Sequence, residues 1–317
     1  MGYDVVVVGG GAAGLSGAVA LARSRRAVLV VDSGRPRNAP ADGVHNYLGR
    51  EGIPPAELLA TGRADLAGYG GEVRTGTVVA AARDREGFGL TLACGATVRA
   101  RRLLVATGLV DELPAVPGLV ERWGRDVLHC PYCHGWEVRD RAVGVLASGP
   151  MAAHQALMWR QLTDDVTLLG ADGFAGDERL AARGVRVVSG EVVAVEVADD
   201  RLTGVRLRDG DAVPLDVLAV TPRVEVRSAL LASLGLQPVE REVNGQVVGT
   251  AAPAEPSGAT SVPGVWLAGN VTDPFATVVA AAAAGLAVAA AINADLVDED
   301  AQAAASRTPS RPSRLTT

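Results

Sequence analysis

Val5-Val6-Val7-Val8-Gly9-Gly10-Gly11-Ala12-Ala13-Gly14 joins an apolar run to a glycine turn and to a helical stretch that continues to about Arg25. A second apolar run, at 27–31, ends in Asp32. Strand, glycine turn, helix, strand and acid is the order of a dinucleotide-binding βαβ unit. Gly9 permits the tight turn, Gly11 lets the backbone approach a pyrophosphate at the helix N-terminus, and Gly14 lets the helix pack on the strand. Asp32 comes about 20 residues after Gly11, where a carboxylate reaches a ribose hydroxyl.

Farther along, a strand at 103–105 runs into Ala106-Thr107-Gly108, and another at 265–267 runs into Ala268-Gly269-Asn270. Between them lies a second unit, with a strand at 142–147, a helix at 150–163 and a strand at 165–169. The expected fold is α/β, with two dinucleotide-binding, Rossmann-like three-layer domains, the second inserted into the first. Residues 1–114 and 244–297 form the split domain and 115–243 the insertion. A helix at about 277–296 follows the last strand, and 298–317, rich in Ala, Ser, Pro and Arg without periodicity, is expected to be a disordered tail.

Only three cysteines occur in 317 residues, and two of them form Cys130-Pro131-Tyr132-Cys133-His134. Thiols three apart can close a redox-active disulfide whose low-pKa thiolate attacks other sulfurs. The same letters fit c-type haem attachment, half of a zinc site, or an inert buried loop. Haem attachment requires export, and zinc requires two further ligands, for which only Cys94, His45, His129 and His154 remain, scattered along the chain. No metal is expected. Cys94 follows an apolar stretch at 90–93 and is expected in the core. His129 either tunes Cys130 or begins a loop, His45 is expected to be a cofactor-shell or structural residue rather than a base, Trp136 to pack or to floor a substrate pocket, and Glu137 to be a solvated or backbone-capping acid.

Composition narrows the classes further. Hydrophobic residues make up 48% of the chain and aromatic residues 3%, so the cores must be built from Ala, Val and Leu. All 30 basic residues are arginine, which excludes a lysine Schiff base and a Walker A lysine. A net charge of −6 without a basic block leaves no electrostatic footprint for nucleic acid. The N-terminus has no positive n-region and no small-residue cleavage site, as expected of a cytoplasmic protein. The uncharged stretch 274–294 is mostly alanine and is expected to be a packed helix, with no membrane span.

These motifs together resemble the low-molecular-weight thioredoxin reductase family. The resemblance is carried by Gly9 to Gly14, by Val44-His45-Asn46-Tyr47-Leu48-Gly49, by Ala106-Thr107-Gly108, by the cysteine pair near the start of the insertion, and by Ala268-Gly269-Asn270-Val271 before a long helix. It implies FAD in the split domain. Gly9, Gly11, Ala12, Ala13 and Gly14 would hold the pyrophosphate, Asp32 the adenosine ribose, and Asn46, Ala106, Thr107 and Gly108 would lie along the cofactor. Gly269 and Asn270 would approach the ribityl chain, where the family usually has Asp in place of Asn270. The helix opening at Thr277 and Val278 would point its dipole at the flavin. The resemblance also implies a homodimer.

The pattern breaks in the insertion, where the family binds NADPH. Its glycine-rich turn is replaced by Ala147-Ser148-Gly149-Pro150-Met151-Ala152, and its His-Arg-Arg cluster by Gly170-Ala171-Asp172, an acid where a 2′-phosphate would sit. NADPH would then have to use other residues, such as Arg160 or Arg179. His134 stands where the reductases carry Asp, and an imidazole can take protons from incoming thiols near neutral pH. This variant pattern is similar to that of the FAD-dependent dithiol oxidases of natural-product pathways, of holomycin and gliotoxin type. It implies oxidation of a small-molecule dithiol with O2 as acceptor, Cys130, Cys133 and His134 being catalytic and Cys133 facing the flavin. The alternatives are an NADPH- or ferredoxin-dependent reductase of thioredoxin or another disulfide, and a flavin-bearing redox sensor.

Overall fold

A computed structural model describes residues 2–149 and 151–307. The opening valine run forms the strand Tyr3–Val8 at the centre of a seven-stranded sheet. It pairs in parallel with Val28–Asp32 on one side and Thr97–Val105 on the other. Glu72–Thr75 and Val265–Leu267 extend this parallel part, and the hairpin of Val78–Asp84 and Gly87–Leu92 adds two antiparallel strands. An unbroken apolar strand suits a sheet covered on both faces. Val5 and Val7 accordingly pack under the helices Ala12–Arg23, Pro55–Gly68 and Val278–Arg307, and Val6 and Val8 pack on the opposite side with Phe88, Leu90 and Leu231.

A second sheet is wholly parallel, in the order Arg186–Val188, Val166–Leu169, Val143–Leu146, Val217–Ala219, Val127–Leu128. The helix Ala152–Trp159 covers one face with the fully buried Trp159, and a three-stranded antiparallel sheet spanning Val192–Ala198, Arg201–Leu207 and Ala212–Pro214 covers the other. The three layers agree with the α/β, Rossmann-like expectation.

The two units are joined by adjacent antiparallel strands. Leu109–Glu112 leads out of the first, and Arg223–Val226 returns beside it, with Val224 opposite Asp111. Gln246–Ala251 and Val239–Val243 complete this four-stranded sheet. The return precedes the boundary expected at 244. Leu230, Leu231 and Leu234, in and after the helix Ser228–Ser233, already pack in the core of the first sheet. Long-range pairing set this crossing point, and local motifs could not.

The last helix corrects the expected tail. It runs from Val278 to Arg307, well past 298, while residues 308–317 lie outside the described residues. Alanine favours the helix, and ion pairs tether its far end to the first sheet. Arg102 binds Asp295 at 2.5 Å and also Glu299, and Arg101 binds Glu299 at 2.8 Å and Asp300 at 2.6 Å. By length and composition this helix could cross a membrane, yet Ala281, Gly285, Val288, Ala289 and Ile292 are buried against the first unit. At the crossing with Ala12–Arg23 the backbones touch, and a Cβ on Gly285 would fall on the Ala13 carbonyl oxygen. Gly68, by contrast, ends its helix in open space.

Gly285→Ala should therefore destabilise the protein by about 2–3 kcal/mol through overpacking, whereas Gly68→Ala should be neutral or stabilising by about 0.5 kcal/mol. Thermal melts of both variants check this, and equal melting temperatures would contradict the close crossing.

Candidate active site

The glycine turn, the ends of the first sheet's strands and the start of the last helix enclose a cavity of about 510 Å3. Of the expected cofactor residues, Gly9, Gly11, Ala12, Ala13 and Asp32 line it from the first βαβ unit, Asn46 from the following loop, Ala106 to Gly108 from the end of Thr97–Val105, and Asn270, Thr277 and Val278 from the last segment. Gly14 and Gly269 do not. A Cβ on Gly14 would fall on the Gly9 carbonyl oxygen, and one on Gly269 would stand 2.8 Å from Ala13 Cβ. Both glycines permit backbone packing behind the wall.

The wall has the features of a nucleotide cradle. Gly9 holds φ +106, and a Cβ there would strike the Ala106 carbonyl. Gly11 has nothing within 4 Å of its missing Cβ, leaving the backbone open at the N-terminus of Ala12–Arg23. The Asp32 carboxylate is fixed by the backbone N–H groups of Gly10 (2.9 Å) and Gly34 (3.2 Å). Thr107 Oγ1 is buried with no partner among the described residues, a demand that a bound polar group would satisfy. Asn270 donates through Nδ2 to the carbonyls of Asp273 (3.0 Å) and Ala276 (2.9 Å), bracing the turn that leads into the last helix. A carboxylate could not donate these bonds, which gives the departure from the family's Asp a local reason.

Cys130 and Cys133 lie on the far wall of this cavity. Cys130 precedes a single helical turn, Pro131–His134, with Pro131 at its first position, and the Cys130 carbonyl accepts the N–H groups of Cys133 (3.1 Å) and His134 (3.2 Å). The sulfurs approach to 2.7 Å, with Cys133 donating to Cys130. That bond lowers the Cys130 thiol to about 7; burial opposes it, and the N–H groups of Cys133 and Tyr132 and the Arg37 charge assist it. Cys133 moves upward for the converse reason: it is the donor in that bond, it is buried, and the Cys130 charge lies beside it.

Arg37 is a residue the sequence reading missed. Its guanidinium is clamped by Asp111 in a two-pronged pair at 2.6 and 2.8 Å, and it lines this cavity and the next. In a chain without lysine, an arginine close after Asp32 was the available signal. His134 lines the cofactor cavity with the cysteines, and its imidazole makes no hydrogen bond among the described residues. Burial and then the His45 charge push its pKa down, with Glu137 and Asp42 opposing. His129, before the pair, faces the Val220 carbonyl at 3.4 Å and is held down by burial and the Arg37 charge.

A second cavity, of about 830 Å3, opens on the other side of the cysteines. Met151, Gln155 and Met158, spaced along one face of Ala152–Trp159 and its cap, line it opposite Tyr132, Phe275 and Val247. Its cations are matched, Arg37 by Asp111 and Arg223 by Glu225 at 2.6 Å.

Two expectations are corrected. Cys94 is exposed: the strand ends at Leu92, and Ala93, Cys94 and Gly95 make the turn to the next. Trp136 is 66% exposed, with the Arg139 guanidinium 4.2 Å from its ring centre. Glu137 is exposed, as expected of a solvated acid, and faces His45 Nε2 at 3.5 Å. Among the described residues, no group of three or more His, Cys, Asp or Glu side chains is placed to hold a metal ion.

Comparisons with known proteins agree with this geometry. The profile of the pyridine nucleotide-disulphide oxidoreductases matches residues 3–285. The chain is 36% identical over 282 residues to thioredoxin reductase tcpT of Claviceps purpurea, covering 84% of this chain and 86% of that protein. It is 29% identical over 319 residues to thioredoxin reductase sirT of Leptosphaeria maculans, covering 94% and 95%. Among solved structures, HlmI is similar with a TM-score of 0.87 and 47% identity, over 96% of this chain and 95% of that one. An oxidoreductase from Agrobacterium tumefaciens is similar with a TM-score of 0.85 and 32% identity, over 94% and 99%. The chain belongs to the pyridine nucleotide-disulphide oxidoreductase family and is a thioredoxin reductase-like, FAD-binding enzyme.

Proposed function

We propose that this enzyme oxidises a small-molecule dithiol to its disulfide and disposes of the electrons through FAD to O2, with hydrogen peroxide as by-product. The observation that carries this direction is the turn after Val143–Leu146. Gly149 holds φ +139, and the Gln246 side-chain amide fills the space where its Cβ would stand. Asn244, on the same hairpin, donates to the Met151 sulfur at 2.8 Å. A nucleotide phosphate would need that space. The arginines that could replace the lost 2′-phosphate cluster are committed elsewhere: Arg160 to Asp164 and two carbonyls, Arg179 to Asp177 at 2.7 Å. Asp172 caps the Gly190 N–H at 3.3 Å and adds a negative charge.

FAD would be held in the first cavity by Gly9, Gly11, Ala12, Ala13 and Asp32, with Asn46, Thr107, Asn270, Thr277 and Val278 along it. The chemistry it supplies when bound is acceptance of two electrons from the reduced cysteine pair and their return to O2. The chain's own residues perform the exchange. One substrate thiolate, entering from the second cavity, attacks Cys130 of the oxidised pair; an S–S bond to substrate forms, and the Cys130–Cys133 bond breaks with Cys133 leaving. The mixed disulfide removes the Cys130 charge that holds the Cys133 pKa up. The second substrate thiol, deprotonated with help from His134, then displaces Cys130 and closes the product. A thiol lowered to about 7 is a good leaving group at neutral pH.

In anaerobic mixing, dithiothreitol should bleach the flavin of the holoenzyme and millimolar NADPH should leave it yellow. Rapid bleaching by NADPH would instead assign the enzyme to the nicotinamide-driven reductases. Cys133→Ser should keep its FAD and lose dithiol turnover. In prereduced protein, alkylation of Cys130 by iodoacetamide should show a midpoint at about pH 7, moving upward in Cys133→Ala because the main stabiliser of the thiolate is gone. An unmoved midpoint would contradict that cause.

A further inference from the structure

A loop beside the cysteine turn carries titratable groups that the exchange as described does not use. Val44 and Ile53 bridge its ends. Within it the Glu51 carboxylate is shared, Oε1 lying 2.7 Å from His45 Nδ1 and Oε2 accepting the Asn46 backbone N–H at 2.9 Å. Asn46 sits at φ +58, which asparagine tolerates better than most residues. Its side chain donates to the carbonyl of Tyr132, between the two cysteines, at 2.7 Å. One carboxylate thus orients both His45 and Asn46 against the catalytic turn. With Nδ1 taken, His45 Nε2 faces Glu137. Both His45 and His134 line the cofactor cavity, whereas Glu51 and Glu137 are 67% and 42% exposed. Exchangeable groups therefore lead from the cavity wall to water.

The exchange needs such a path. A dithiol loses two S–H protons as its ring S–S bond forms, and the cysteine S–S bond takes up the electron pair. Cys133 keeps one proton as a thiol. Cys130, its thiol lowered to about 7, gives up its proton readily near neutral pH, so the second proton leaves as the thiolate forms. His134 is a poor store for it: burial favours its neutral form, and a proton on His45 disfavours a second one on His134, against Glu137 and Asp42. On the other flank, His129 is held neutral by burial and by Arg37, against Asp111.

We propose that His45, oriented by Glu51, is the proton outlet of the dithiol site, taking up the proton released at the cavity wall it shares with His134 and passing it to Glu137, Glu51 and solvent. This rests on the dithiol-oxidising function proposed for the same cysteines. Glu51 is a positioning residue, acting through His45.

The test is anaerobic stopped-flow reduction of the holoenzyme by dithiothreitol at low buffer concentration. His45→Ala should retain its FAD and slow flavin reduction about tenfold, at the low end of proton-transfer effects. Added imidazole should restore the rate in proportion to its concentration, a dependence the unaltered enzyme lacks. Glu51→Ala should show the same loss and the same rescue. A His45→Ala enzyme at full rate, or one whose loss imidazole does not restore, overturns the proposal. A Glu51→Ala enzyme at full rate removes the positioning role. If dithiothreitol does not reduce the unaltered enzyme, the dithiol function fails and the outlet fails with it, an outcome separate from the variant arms.

Discussion

The antiparallel pairing of Leu109–Glu112 with Arg223–Val226 is the contact on which the arrangement of the site depends. These strands are the outgoing and returning crossings between the two units. They place the cysteine turn at the start of the second unit over the cofactor cavity of the first. The same pairing positions Asp111, whose carboxylate clamps Arg37 beside Cys130. Scaffold and electrostatics are thus set by one short ladder: it fixes where the sulfurs lie and supplies a fixed cation that favours the thiolate.

The proposed direction of electron flow rests on what faces the pair on each side. Toward the first unit lies a cradle with an open glycine backbone and a threonine hydroxyl that has no partner among the described residues. Away from it lies a cavity whose cations are already paired, bordered by a turn that Gln246 has filled. A nicotinamide-driven reductase must admit a dinucleotide beside that turn. A dithiol oxidase needs only room for its substrate, which the methionine-lined face of Ala152–Trp159 provides with adaptable apolar contacts.

Much of this was legible in the sequence because it is local. The turn at Gly9 to Gly14 is a steric requirement expressed within ten residues, and the spacing of Cys130 and Cys133 is itself the chemistry. The loss of the second glycine turn was equally plain. What escaped was decided by partners distant in the chain. Arg101 and Arg102 keep the last helix intact beyond 298, the returning strand moves the unit boundary ahead of 244, and Gly269 packs against Ala13 behind the cavity wall. Cys94 misled because an apolar run was extended past the turn that ends it. Gln246 filling Gly149 and Glu51 holding His45 join residues whose types gave no sign of the contact.

In the proposed reaction electrons enter from a dithiol and leave to O2 without a nicotinamide nucleotide. The most direct measurement is the stoichiometry of oxygen uptake during aerobic turnover of a small dithiol by the purified holoenzyme, no nucleotide being added. One O2 should be consumed and one peroxide formed for each disulfide closed. Oxygen uptake that begins only when NADPH is supplied would contradict it.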